Sequence, residues 1–364
     1  MRPRAAWIWI FLGAGAAGLH FALGRDSSLA ESLFSRGLYA AWRRIWDDTL
    51  GLSPLPWLYI FAACLLAALI AKISGILFRR RTKEPSSGST KKLGRAVVRI
   101  ASWAGALVFF FYILWGFNYN RVGLEKQLGL DPSPLAADAL AAEASWASRM
   151  ASESRASISG ATAEVLRNGA LPESLESDIR RALVPVLRKS GYPASGRVRV
   201  REFVPGGWMM RFSGTGVYIP YCGEGYIADN LLPFEKPFTM AHEMAHGYGI
   251  ADEAGANFLA YLACASSPLP IVRYSGYAAY WSTAAGELPR AEFKTLWEGL
   301  PEGMKADLRA AQANAARYHG ALDRISRKVY AQYLKTQGIA DGLRSYSRFV
   351  GLVAAWKKKG PDTR

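Results

Sequence analysis

Three apolar runs, residues 5–23, 57–78 and 96–117, do most to limit what this chain can fold into. Each matches the roughly 20 residues with which a helix crosses the hydrocarbon layer of a bilayer. The first lies behind Arg2 and Arg4, and its length and lack of a small-x-small cleavage site favour a retained helix over a signal peptide. His20, inside it, reads as a helix-end residue at the membrane boundary. Lys72 stands close enough to one end of the second run to snorkel, and Phe109, Tyr112 and Trp115 suit the interface at the far end of the third. Residues 79–95 carry seven basic residues around a Pro-Ser-Ser-Gly-Ser centre, the pattern of a flexible cytoplasmic loop. With that loop inside, the N-terminus lies in the cytoplasm and everything after residue 118 lies outside it. The expected organisation is a membrane region, 1–117, in the lipid bilayer and an extracytoplasmic domain, 118–364.

The stretch between the first two runs, residues 24–56, has Phe34, Leu38, Trp42 and Ile45 at helical spacing, which predicts a short amphipathic helix at the membrane surface or a plain connecting hairpin. The formal charge of +16 does not argue for nucleic acid. The basic residues cluster beside apolar spans, where they set topology, and no nucleic-acid recognition motif accompanies them. Cys64, Cys222 and Cys264 are too few and scattered for a disulfide framework or a cysteine metal site, and the last two read as buried thiols.

Beyond the membrane region, the Ala, Ser and Glu of residues 134–158 favour a helix. A second helix, 172–190, puts Leu175, Ile179, Leu183 and Leu187 on one face. The period then changes to that of strands over 197–204, 208–212 and 217–221, which predicts a small antiparallel sheet. Val217, Tyr218 and Ile219 would form an edge able to bind an extended peptide through its backbone. Thr239 is placed to cap the next helix, Gly247 and Gly249 to end it, and Glu253–Ala265 reads as another. Everything past Pro270 is helical in pattern, with Pro301 opening a long stretch, Gly338 breaking it, and Lys357 to Lys359 forming a solvated tail. The fold class is therefore α+β: three transmembrane helices followed by a mainly helical domain with a small antiparallel sheet.

The helix after Thr239 carries His242-Glu243-Met244-Ala245-His246, two of the four histidines in the chain. Residues i and i+4 share a helix face, so both imidazoles can reach one ion while Glu243, rotated aside, holds its water. This is the arrangement of a zinc hydrolase, with Glu243 as general base. A third protein ligand is needed. Glu253 is preferred, with Asn257 four residues on to support a histidine, and Asp252 is the alternative, since HExxHxxGxxD also fits the metzincin pattern. The only later methionine, Met304, sits in a helical context and cannot supply the turn metzincins need. An oxyanion donor is expected among Tyr221, Tyr274, Tyr330 and Tyr346, with Tyr346 and Tyr274 put first. His319 has no acidic or histidine neighbour and reads as a surface residue. Phe238 to Ala265 is interrupted by His, Glu, Asp and Asn, which excludes an intramembrane site.

Several segments together resemble one family of bacterial membrane proteins: Trp115-Gly-Phe-Asn-Tyr-Asn-Arg121, Tyr218-Ile-Pro-Tyr-Cys-Gly-Glu224, Pro237 to His246, Ala256 to Cys264, Arg273-Tyr-Ser-Gly-Tyr277 and Gly342-Leu-Arg-Ser-Tyr346. The family is catalogued as domain of unknown function 3810. The resemblance implies a three-span protein of the bacterial inner membrane with an extracytoplasmic zincin-like domain, and it brings no established substrate. The Glu-x-x-Ala-Asn at Glu253 to Asn257 also resembles the Glu-x-x-Ala-Asp of gluzincin peptidases, which maps a zinc ligand onto Glu253 and its support onto Asn257. Family members commonly carry a second acid where this chain has Gly255. Two functions follow: a zinc metallopeptidase acting on a peptide or protein substrate, with a cell-wall amidase as a variant of the same chemistry, or a catalytically degenerate receptor or scaffold that binds peptides.

Overall fold

The computed structural model describes residues 3–82, 89–160, 166, 169, 171–212, 214–336 and 345–360. Helices α1 (Pro3–Leu23) and α4 (Ser89–Leu114) lie side by side along their length. Glycine makes this possible: a Cβ on Gly13 would strike the backbone of Gly105, and one on Gly105 would strike that of Trp9. Within them, Ala6–Leu23 and Gly94–Leu114 are long and apolar enough to cross a bilayer. Three such helices were expected, but among the described residues only these two meet that measure. The apolar part of the helix between them is the shorter Trp57–Ala71. Residues 83–88 of the expected basic loop, and Gly338, lie outside the described residues.

The chain is helical from residue 27 to 48, with a π-helical turn over Ala30–Leu38 leading into α2 (Tyr39–Asp48). Asp26 opens it by accepting from the N–H groups of Ser28 and Leu29, both at 3.1 Å. Phe34 is buried as its spacing requires, yet Leu38 and Ile45 are exposed, and Trp42 is only partly buried. The buried face carries Glu31, Ser35, Tyr39, Arg43, Trp46 and Asp47 instead. A π turn closes with i→i+5 bonds and inserts one residue, so positions counted at 3.6 per turn slip by one beyond it. This segment packs on the body formed by the later residues, where its polar groups find partners.

Helix α3 (Trp57–Thr82) starts against the sheet: the Trp57 N–H donates to Glu224 Oε2 at 3.0 Å and the Leu58 N–H to the Tyr226 hydroxyl at 3.1 Å. Two donors that a helix start leaves unpaired are thereby capped. Next come α5 (Ala137–Ala156) and α6 (Leu175–Lys189), the latter burying Leu175, Ile179, Leu183 and Leu187 as its spacing dictates.

The sheet consists of β1 (Arg199–Phe203), β2 (Gly216–Ile219) and β3 (Glu224–Ala228) in the order β1-β3-β2. It is mixed rather than antiparallel, because β1 runs parallel to β3 and only β2 is antiparallel to it. Residues 208–212, expected as a strand, belong mainly to a helix, α7 (Gly206–Arg211). A short apolar run such as Trp-Met-Met has no decisive period. The central strand β3 is buried at every position and so shows no alternation by which to recognise it.

The remaining elements are α8 (Lys236–Gly247), α9 (Glu253–Ala265), α10 (Pro270–Gly286), α11 (Arg290–Glu298), α12 (Glu302–Ala316), α13 (Ala321–Thr336) and α14 (Ser345–Lys359). Helix α8 begins at Lys236 and leaves Thr239 inside, since Pro237 is tolerated in a first turn. Its N-terminus is met from α10, where Ser275 Oγ accepts from the Phe238 N–H at 3.0 Å. Ala144, Ala147 and Ala151 let α5 lie close to α10. The two helices are tied to α12 through buried Asp307, which accepts from Tyr274 Oη at 2.7 Å and pairs with Arg155 at 2.7 Å. Cys222 and Cys264 are buried free thiols. The basic tail is not wholly solvated: Lys357 pairs with Glu143 at 2.8 Å and lies over the Trp146 ring, and Lys359 donates to the Leu128 carbonyl.

Candidate metal centre

Helix α8 presents His242 and His246 on one face and ends in a turn through Gly249, whose φ of 87° is left-handed and open to glycine at little cost. The chain then doubles back into α9, and its first residue, Glu253, arrives beside both imidazoles. His242 Nε2 and His246 Nε2 are 2.9 Å apart, His242 Nε2 is 3.3 Å from Glu253 Oε2, and His246 Nε2 is 3.6 Å from Glu253 Oε1. Donors held at about 2.1 Å from one tetrahedral ion stand roughly 3.4 Å from each other. The three donors lie close to that spacing, with the two imidazoles the tighter pair, so together they could hold one metal ion.

Asp252 is not among them. It caps α9, accepting from the Gly255 N–H at 2.7 Å, and pairs with Arg348. Asn257 is buried one turn beyond Glu253, but it does not provide the expected support, since the outer nitrogen of His246 faces the Ile250 carbonyl at 2.7 Å. Burial disfavours charge on His246, yet Glu253 and Glu243 outweigh it and push its pKa up to about 9. Burial also opposes ionisation of Glu253, and the two histidines reverse that, holding it well below the usual carboxylate range. Burial raises the pKa of Glu243 in spite of both histidines, and its Oε2 is buried with no hydrogen-bond partner among the described residues.

The end of α8 is gripped from the segments that follow the apolar helices α1 and α4. Carbonyls in the last turn of a helix lack partners. Here that of His246 accepts from Trp115 Nε1 at 2.8 Å, that of Gly247 from Tyr39 Oη at 2.6 Å, and that of Gly249, just beyond, from Arg121 at 3.0 Å. Arg121 is itself held by Glu31 at 2.7 Å.

A family model described as protein of unknown function (DUF3810) matches residues 34–354. The chain belongs to that family. No curated protein and no solved structure matches it at a significant level. The matched region of this DUF3810 protein takes in Tyr39, Arg43, Trp115 and Arg121 along with the histidine helix. The Trp115 to Arg121 segment carries no role legible in its own residues. No local pattern could supply one, because its partners are backbone carbonyls distant in sequence.

Strand β2 runs beside Glu243, and a Cβ on Gly216 would strike that carboxylate. The Ala228 N–H donates to the Thr215 carbonyl at 2.9 Å, which sets the phase of the ladder. In an antiparallel pair alternate residues bond inward, so Val217 and Ile219 pair with β3, and Gly216 and Tyr218 direct their backbone groups to the open edge. Of the expected strand residues Val217, Tyr218 and Ile219, only Tyr218 can offer backbone groups there, and Gly216 was missed.

Among the tyrosines, Tyr330 on α13 reaches the cluster, its hydroxyl donating to Glu253 Oε1 at 2.5 Å. Tyr274 is spent on Asp307, and Tyr221 donates to the Leu107 carbonyl at 3.0 Å. The side chain of Tyr346 lies outside the described residues.

Proposed function

We propose that this DUF3810 protein is a membrane-anchored zinc metallopeptidase that hydrolyses peptide bonds outside the cytoplasm. The observation that carries the reading is the convergence of His242, His246 and Glu253 at separations of 2.9, 3.3 and 3.6 Å, with a buried, half-unpartnered carboxylate, Glu243, beside them. A zinc ion held by these three residues would acidify a water and polarise the scissile carbonyl. Glu243 accepts the proton of the attacking water and passes it to the leaving amine. Tyr330, released from Glu253, donates to the carbonyl oxygen as it gains charge. Gly216 and Tyr218 pair with the substrate backbone and hold it extended across Glu243. The cluster is complete without a side chain at position 255, which favours an active peptidase over a degenerate scaffold.

In this reading α1, α3 and α4 are the three spans. The N-terminus lies in the cytoplasm and residues 118–364 lie on the outer side of a bacterial inner membrane.

The full chain, purified in detergent without chelator, is expected to hold one zinc and to cut unfolded peptides. Glu253→Gln should weaken zinc binding by more than the roughly 10–100-fold that loss of a supporting partner costs. Wild-type protein without zinc, or a Glu253→Gln variant that keeps it at full affinity, would sink the assignment. Gly216→Ala presses on Glu243, and with about 1–3 kcal/mol of overpacking taken up in displacing that base the rate falls roughly fivefold to 150-fold. Zinc content should not change, and an unaltered rate would remove β2 from the site.

A further inference from the structure

Outside the expected spans and the metal cluster, one apolar surface stands out. Val204, Trp208 and Phe212, at and around α7, are exposed, as are Leu322, Ile325 and Val329 on α13. The last three recur at intervals of three and four, so they form one stripe along the helix. The two groups adjoin, because Ser326 Oγ donates to the Phe212 carbonyl at 2.7 Å.

The surface begins where α3 begins. The Val204 N–H donates to Tyr59 Oη at 2.8 Å, and the Tyr59 ring stacks on Phe203 with centroids 6.0 Å apart. Trp57 and Tyr59 are the aromatic residues that favour the headgroup level of a span. Exposed Arg211, Arg324 and Lys328 flank the stripe. A helix that is apolar on one side and basic beside it suits the boundary of a bilayer with anionic lipid.

We infer that Val204, Trp208, Phe212 and the Leu322-Ile325-Val329 stripe dock on the outer leaflet of the bilayer, beside the outer end of α3. The inference rests on the proposed membrane topology. It also bears on the substrate, because Tyr330 follows Val329 on α13 and touches Glu253. The mouth of the site then faces peptide segments leaving the bilayer.

The test uses the full chain with Cys64→Ser, which leaves only the buried Cys222 and Cys264. A fluorophore is attached at Ile325→Cys, at Phe11→Cys in α1, or at Glu298→Cys on α11. Each protein is reconstituted in nanodiscs containing anionic lipid with or without nitroxide-bearing acyl chains. Docking predicts that the Ile325 label is quenched at least half as strongly as the Phe11 label, with the Glu298 label unaffected. Trp208→Asp should reduce quenching at Ile325 and leave it unchanged at Phe11. An Ile325 label as unquenched as that at Glu298, with Phe11 quenched, overturns docking and leaves the topology standing. A second copy of the chain on this surface would give that result together with contact between labels. An unquenched Phe11 label overturns the topology, and docking with it.

Discussion

Replacing Glu243 by glutamine is expected to lower peptide hydrolysis by about 10²–10⁴-fold, the usual worth of a positioned general base, while the protein keeps its zinc. The amide fills the same volume in a site where a Cβ on neighbouring Gly216 would already strike the side chain, so the fold has little reason to move. It cannot accept the proton of the attacking water. Glu243 is not one of the three converging donors, and metal content should therefore be indifferent to the change. Zinc analysis and turnover, measured on the same preparation, separate the two roles. Equal rates for wild type and variant would exclude Glu243 as the base, and loss of zinc in the variant would make it a ligand.

The second large effect is on stability. Arg43→Met is expected to destabilise the protein by about 3–5 kcal/mol, the range for breaking a buried ion pair from one side. Arg43 is 1% exposed, pairs with Asp47, and donates to Tyr218 Oη at 3.0 Å and to the Gly223 carbonyl at 2.8 Å. Without it, the Asp47 charge is left buried, with the Arg197 N–H still donating to it at 2.7 Å. Arg43→Met combined with Asp47→Leu removes both charges and should recover part of the loss, since an apolar replacement of a whole buried pair is often tolerated. Unfolding of the full chain in detergent, followed for wild type, both single variants and the double variant, measures the coupling. A double variant whose loss equals the sum of the singles would show that the two residues act independently.

Arg43 also shows where linear reading stops. Residues 24–56 carry a helical period, and a helix is there, but the π turn displaces its buried face by one position. The same segment supplies Tyr39, which, with Trp115 and Arg121, holds the end of the histidine helix. Each of these donors is far in sequence from the carbonyl it serves. Periodicity reports which side of a helix is apolar and is silent about polar groups buried because they are paired. For the same reason Tyr274 and Asn257 were plausible members of the site, yet Tyr274 is taken up by Asp307, and the backbone of Ile250, rather than Asn257, faces His246.

By itself the sequence determined those features that depend on residues close together. They are the apolar helices, the face of α6, the start of α9 at Glu253, and the pair His242 and His246 one helical turn apart. Local spacing sets local geometry, and a turn through Gly249 is short enough to leave only Asp252 or Glu253 as neighbours. The choice between those two was tertiary: Asp252 is drawn off by the start of its own helix and by Arg348, so that Glu253 alone faces the histidines. The direction of β1, the identity of β3, the placement of Gly216 against Glu243 and the arrival of Tyr330 were decided the same way. These depend on which distant surfaces meet, and that is set by packing of the whole chain rather than by any window of it.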